Sequence, residues 1–191
     1  MSKLFGKEIP QSLIRAALYY DGTCEAYSAS TEVALEGEKT HDGWFTLGEN
    51  VACFVKLKFG IDDIILRFDV QQPETKQILC SNRNSKRYAA YGFTVYFGGE
   101  RLIFALGDGE NEYQWEYEVK KTEYSAIIKL KKRVNELECS IDSLECKPIK
   151  AAERIEQAFF TLDALDFYVG ADGCGVKSSF GKVKNFFLLR K

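Results

Sequence analysis

Three features of the sequence predict an all-β fold of two antiparallel sheets packed as a sandwich. Apolar and polar residues alternate with a period of two in short runs, as strands with one buried face require. Turn signals such as Asp21-Gly22, Asp42-Gly43, Gly98-Gly99, Gly107-Asp108-Gly109 and Ala171-Asp172-Gly173 separate those runs at short intervals. Phe, Trp and Tyr make up 14% of the chain, and aromatic side chains suit the half-buried surface of a sheet. The sequence lacks the regular alternation of strands with helices that a parallel sheet needs.

The elements follow in order. Ala16–Tyr20, Cys24–Ser28 and Val51–Phe59 are apolar runs of strand length. In Ile64–Val70, one face carries Ile64, Leu66, Phe68 and Val70, and the other carries Ile65, Arg67 and Asp69. Gly92–Phe97 sets Phe93, Val95 and Phe97 against Thr94 and Tyr96. Arg101–Leu106 is apolar nearly throughout, the pattern of a strand covered on both faces. Glu112–Val119 alternates without a break, Tyr113, Trp115, Tyr117 and Val119 facing away from four polar residues. Tyr124–Leu130, Glu136–Ile141, Leu165–Val169 and Val183–Leu189 complete the strands. One segment departs from this pattern: Lys150 to Phe160 holds helix formers and no turn residue, with Ala151, Ile155 and Phe159 on one face. It predicts one short helix near 150–158. Ile64, Leu66, Phe68, Phe93, Val95, Phe97, Leu102, Phe104, Ile128, Leu137, Phe167, Phe186 and Leu188 are the expected core.

The 191 residues form one domain, with residues 1–13 as an N-terminal arm. A chain this long hides roughly 70% of the surface its unfolded form exposes, so it does not need disulfide staples. The six cysteines, Cys24, Cys53, Cys80, Cys139, Cys146 and Cys174, are scattered without tight spacing. The N-terminus lacks the apolar core of a secretory signal, so synthesis in the cytoplasm with reduced thiols is expected. No apolar run reaches the roughly 18 residues of a membrane span. A net charge of −2 excludes nucleic-acid binding by bulk charge. The cluster Lys129, Lys131, Lys132, Arg133 reads as a solvated strand end.

Ala17 to Ser28, an apolar strand, an Asp-Gly turn and a short strand with an aromatic residue, resembles the opening strand pair of laminin-G-like jelly rolls. Ile64 to Gln71 followed by Gln77-Ile-Leu-Cys-Ser-Asn82 is similar to the long strand of that family and its successor. Phe93–Phe97 with Arg101–Gly107, and Tyr124–Leu130 with Asn135–Asp142, resemble its next two pairs. Phe167-Tyr-Val-Gly-Ala171 and Phe180 to Arg190 resemble its closing pair. The chain is thus identified as a laminin-G-like, concanavalin A-like jelly roll by strand order and pattern over residues 14–190.

Catalytic apparatus is sparse. His41, in Lys39-Thr-His-Asp-Gly43, is the one histidine, so any Ser-His-Asp or Cys-His site has to use it. No Cys-x-x-Cys, histidine pair or phosphate-cradling glycine loop occurs. Glycoside hydrolysis needs two carboxyls about 5–10 Å apart. Glu116 and Glu118, two apart on one strand, meet that spacing, and Glu112 with Glu116 meets it less well. The resemblance implies a Glu-x-Asp-x-x-Glu run in hydrolases of this fold, and the sequence has none.

Binding is the alternative. Sugar sites on sandwiches stack aromatic rings on the apolar faces of sugars and add a few polar groups. Trp44, Tyr91, Tyr113, Trp115 and Tyr117 are the candidate platforms, with His41 and Asp42 beside Trp44 in the irregular stretch Glu36–Asn50. Tyr113, Trp115 and Tyr117 also alternate as an inward face does. The resemblance makes calcium a candidate ligand, through Asp108 and Asp172 in turns; structural turns are the competing role. No other cofactor is expected. The expected function is therefore a non-catalytic structural or binding jelly roll, a surface or assembly component such as that of a phage or virus particle, with protein or glycan partners and oligomers open. A lectin-like carbohydrate-binding module is the alternative, and a glycoside hydrolase comes last.

Overall fold

The structure is a computed structural model that describes residues 2–4, 7–9, 16–20, 26–28, 33–36, 44–47, 51–57, 64–71, 77–83, 89–97, 99–131, 136–152, 165–172 and 181–190. Within them the chain is all β, in two large antiparallel sheets and a small hairpin. The hairpin pairs β1 (Ser2–Leu4) with β2 (Lys7–Ile9), so the N-terminal arm contains strands that the sequence reading missed.

The first large sheet runs β12 (Glu112–Glu118), β11 (Arg101–Gly107), β10 (Gly92–Phe97), β9 (Gln77–Ser81), β16 (Leu165–Val169), β7 (Val51–Leu57), β5 (Val33–Glu36). The second runs β15 (Leu144–Cys146), β14 (Glu136–Ile141), β13 (Glu123–Lys131), β8 (Ile64–Gln71), β17 (Gly181–Arg190), β3 (Ala16–Tyr20), β4 (Ala26–Ser28), with β6 (Phe45–Leu47) also on β17. Sequence neighbours recur in opposite sheets: β7 and β9 belong to the first, and β8 between them to the second. The chain crosses between layers, as a sandwich of this kind requires.

The core lies where the alternation places it. Leu66, Phe68 and Val70 of β8, and Tyr124, Ala126, Ile128 and Leu130 of β13, are buried on one face of their sheet. Phe93, Val95, Phe97, Leu102, Phe104, Tyr113, Trp115 and Tyr117 meet them from the other. Five rings form a continuous chain through this layer. Trp115 stands edge-on to Phe104 at 5.9 Å, Phe104 stacks on Phe93 at 5.5 Å, and Phe167 lies 5.7 Å from Phe93 and 6.2 Å from Phe186 on the second sheet. Each such side chain contributes about 1.5–3 kcal/mol through burial. Of the expected core, Leu137 is only partly buried, and the side chains of Ile64 and Leu188 lie outside the described set. Most of the expected helix, residues 153–160, also lies outside it. Its first residue is extended, because Lys150 bridges Glu116 on the free edge of β12, with Glu116 N donating to Lys150 O at 2.9 Å.

Leu102–Leu106 is covered on both faces, as its sequence predicts, while Arg101 is exposed, and two glycines show what covers the far end of the strand. Gly92 and Gly107 are paired directly across β10 and β11. A Cβ on Gly92 would lie 2.5 Å from Asn82 Oδ1, and one on Gly107 would lie 2.1 Å from the Ala90 carbonyl oxygen. The segment entering β10 therefore lies directly on the outer side of the sheet. Asn82 Oδ1 accepts from Phe93 N at 2.8 Å, and Arg83 reaches over to an ion pair with Glu112.

Candidate functional site

On the outer face of the second sheet, a cleft of about 500 Å³ is lined by Trp44, Asp69, Glu123, Tyr124, Ser125, Asp142, Lys184 and Asn185. Its construction begins with a backbone irregularity. Lys184 pairs with Asp69 and Phe187 with Arg67, so β17 carries one more residue than β8 over this step. Val183 and Phe186 remain in the core, and the extra residue leaves both Lys184 and Asn185 beside Asp69. Such a bulge re-aims side chains that a regular strand would send to opposite faces. Asn185 takes a left-handed φ of 50°, which a short amide side chain tolerates better than most.

The Asp69 carboxylate organises the floor. Its Oδ2 accepts from Asn185 Nδ2 at 2.5 Å, and its Oδ1 accepts from the hydroxyl of Ser125 at 2.6 Å. Ser125 is its direct partner on β13. Ser125 is held in turn by the β14–β15 turn, whose central residues Asp142 and Ser143 have φ of 49° and 68°. Two left-handed residues match the twist of the strands they join. Asp142 N donates to Ser125 O at 2.8 Å, and Asp142 Oδ1 accepts from Ser125 N at 2.9 Å. Lys121 closes the group with a 2.5 Å ion pair to Asp142. On the rim, Gln71 Nε2 donates to Glu123 at 3.1 Å.

Trp44 forms the apolar wall. It directly precedes β6, whose pairing with β17 runs Leu47 to Gly181, Thr46 to Lys182 and Phe45 to Val183. One more step in that register brings Trp44 to Lys184, whose Nζ lies 5.8 Å from the ring centroid. The stretch read as irregular thus contains a strand, and that strand fixes the tryptophan. Trp44 is partly exposed, and His41 and Asp42 lie outside the described residues.

The other sequence candidates are dispersed. Trp115 is 4% exposed and packs on Phe104; it belongs to the core, because its strand turns that face to the opposite sheet. Tyr91 is 51% exposed, at the start of β10 against Gly109 and away from the Trp44 cleft. Asp108 caps its own turn. Its Oδ1 accepts from the amides of Glu110 and Asn111, and its Oδ2 accepts from the Tyr113 hydroxyl at 3.0 Å. Asp172 is fully buried. No cluster of metal-ligating side chains occurs among the described residues. Glu116 is held by Arg101 at 2.7 Å and Lys150 at 3.3 Å, while Glu118 is half-exposed beside Lys120. Two cations and the Lys150 segment surround Glu116. Asp69, Ser125 and Asn185 were missed because Asp69 and Ser125 read as the wet side of their strands. Only the three-residue spacing of Val183 and Phe186 in β17, against the usual two, could have signalled the bulge.

The Lys121 ion pair, then the Ser125 amide, hold the Asp142 carboxyl below its ordinary value, against a smaller opposing effect of burial. A depressed folded pKa contributes stability that is present above the unfolded value of about 3.9. That contribution is lost as pH falls through the folded value. Amide exchange at Ser125 and in the turn should accelerate in that acid range, and Asp142→Asn should remove the pH dependence. Equal acid sensitivity in the variant would refute the assignment.

No family model and no curated protein matches the chain in sequence. Solved structures do match in fold, among them receptor-binding domains of botulinum neurotoxins. One is from type C, a toxin that gets into cells through interaction with two ganglioside molecules: TM-score 0.61 and 10% identity over 90% of this chain. A second is the binding domain of neurotoxin DC in complex with rat synaptotagmin II, at TM-score 0.64 and 11% identity over 93% of this chain. A third is that binding domain with SialylT, at TM-score 0.62 and 12% identity. The chain spans about half the length of these structures, 47%, 48% and 47% respectively. At such identity the likeness establishes a jelly-roll-like β-sandwich and leaves the laminin-G assignment an expectation.

Proposed function

We propose that the chain is a non-catalytic binding module that takes a glycan in the Trp44 cleft. The observation that carries this reading is the cleft itself: a partly exposed indole faces a floor of Asp69, Ser125 and Asn185 side chains already fixed by one another. Sugars need this pairing of an apolar ring surface with oriented polar groups, and pre-ordered groups lose little entropy when they engage. The fold supports the reading, since its structural neighbours include a binding domain studied with SialylT.

A glycan array probed with the intact chain tests it. Trp44→Ala should weaken the best hit by roughly 30-fold, the equivalent of about 2 kcal/mol for an interfacial tryptophan, with an unchanged circular dichroism spectrum. Absence of any glycan hit, or unfolding of the variant, would sink the proposal. A second reading is docking into a larger protein assembly, such as a virus particle. It is favoured by Leu144 and Ile149, 72% and 55% exposed, and by the neighbour in complex with synaptotagmin II. Binding that ignores Trp44→Ala but falls on Leu144→Asp would select it.

A further inference from the structure

The hairpin that walls the cleft holds two of the six cysteines, and their placement differs from that of any other described thiol. Cys139 of β14 and Cys146 of β15 are directly opposed in register. Directly opposed residues of antiparallel strands share a face, with Cα atoms about 4.5–5.5 Å apart. A disulfide spans Cα separations of about 4.4–6.8 Å. Cys139 is 1% exposed within the core, and Cys146 is half-buried and packed against that core. Both are free thiols. β15 is a three-residue strand at the edge of its sheet, next to the exposed Leu144, so the Cys146 sulfur can be approached from outside. Cys80, by contrast, is fully buried at the centre of the other sheet opposite Val95.

We propose that Cys139 and Cys146 are a redox modification site, closed to a cross-strand disulfide by a small disulfide of the oxidised-glutathione class. The Cys146 thiolate, after loss of its proton to solvent, attacks one glutathione sulfur. The glutathione S–S bond breaks, one glutathione thiolate leaves, and a mixed disulfide forms on Cys146. Cys139 then loses its proton and attacks the Cys146 sulfur, expelling the second glutathione thiolate. The two cysteine thiols are oxidised and one glutathione disulfide is reduced to two glutathione thiols, which take up the two protons.

The order of attack follows from burial. Burial, and then the neighbouring Cys146, push the Cys139 thiol up to about 12, so it is a poor initiator in bulk solution and acts only on a sulfur delivered beside it. The pair stays open where glutathione is reduced and closes when the chain moves to an oxidising environment. The closed loop encircles the Asp142–Ser143 turn and so ties the cleft wall together. The chemistry holds whether or not the cleft takes a glycan.

The test exposes the native chain to oxidised glutathione, blocks residual thiols by alkylation, and maps peptides by mass spectrometry without reduction. The expected product is a chain lighter by two hydrogens before alkylation, with the Cys139 and Cys146 peptides linked and dithiothreitol restoring both thiols. Cys139→Ser should stop at a stable glutathione adduct on Cys146, and Cys146→Ser should acquire no adduct at Cys139. Alkylation of both thiols in the wild-type chain, or a glutathione that persists on Cys146 beside an alkylated Cys139, would overturn the proposal. The wild-type map alone decides it should either variant fail to fold.

Discussion

Phe167→Ala is expected to destabilise the sandwich by about 3–5 kcal/mol, the usual cost of deleting a buried phenyl ring. The ring is fully buried on β16, near the middle of the first sheet. It contacts Phe93 within its own sheet and Phe186 across the interface. Its loss removes the link through which the five-ring chain joins the two layers. The surrounding strands are tied into both sheets and cannot collapse inward to fill the space, so the cavity penalty adds to the lost transfer energy. For a domain of this size the thermal midpoint should fall by roughly 10 °C. Ile127→Ala, on the outer side of β13 where the residue is only partly buried, should cost less than about 1 kcal/mol. Comparable losses in both variants would mean that the Phe167 ring does not bridge the layers.

The contrast between those two positions indicates what sequence periodicity could reveal. Tyr124, Ala126, Ile128 and Leu130 are buried while Glu123, Ser125, Ile127 and Lys129 face outward, because period-two alternation and a one-sided core are one physical fact. The same logic placed Trp115 inside, although its chemistry also suits a sugar platform. Alternation fails where a strand gains a residue. The three-residue spacing of Val183 and Phe186 is the one hint of a bulge in Val183-Lys-Asn-Phe186, and it says nothing of Asp69 until the partner strand is known, so the meeting of Lys184 and Asn185 at Asp69 was hidden. Trp44 was legible as a tryptophan in a stretch rich in turn residues. Its support by the short strand Phe45–Leu47 was not, because three residues carry too little pattern to read. The Cys139–Cys146 pairing is likewise a property of register: a hairpin of the same sequence shifted by one residue would place the two sulfurs on opposite faces.

Glycine hides a second role in the same way, and Gly107→Ala is the variant that exposes it. Gly107 reads as part of a turn, yet it is the last residue of β11 and pairs with Gly92 and Glu112. An added Cβ would stand 2.1 Å from the Ala90 carbonyl oxygen and 2.8 Å from the carbonyl carbon and oxygen of Ala89. These are backbone atoms and cannot swing aside as a flexible side chain would. The Ala89 carbonyl also accepts from Gly109 N at 2.7 Å, and Ala89 itself holds a left-handed φ of 54°. Overpacking of this kind costs about 1–3 kcal/mol, and the displaced segment also loses a hydrogen bond worth about 1 kcal/mol. A total near 3 kcal/mol is expected, read as a lower denaturant midpoint at unchanged slope. Gly99→Ala separates crowding from backbone strain. A Cβ on Gly99 meets nothing within 4 Å, but its φ is +61°, so it should lose only about 1 kcal/mol for the left-handed backbone. Tyr91 follows the moving segment and rests on Gly109, where a Cβ would come within 2.5 Å of its ring; its fluorescence should therefore change in Gly107→Ala and not in Gly99→Ala. If Gly107→Ala proves as mild as Gly99→Ala, the segment before β10 does not lie against the sheet, and the covering of the Gly107 end of β11 needs another explanation.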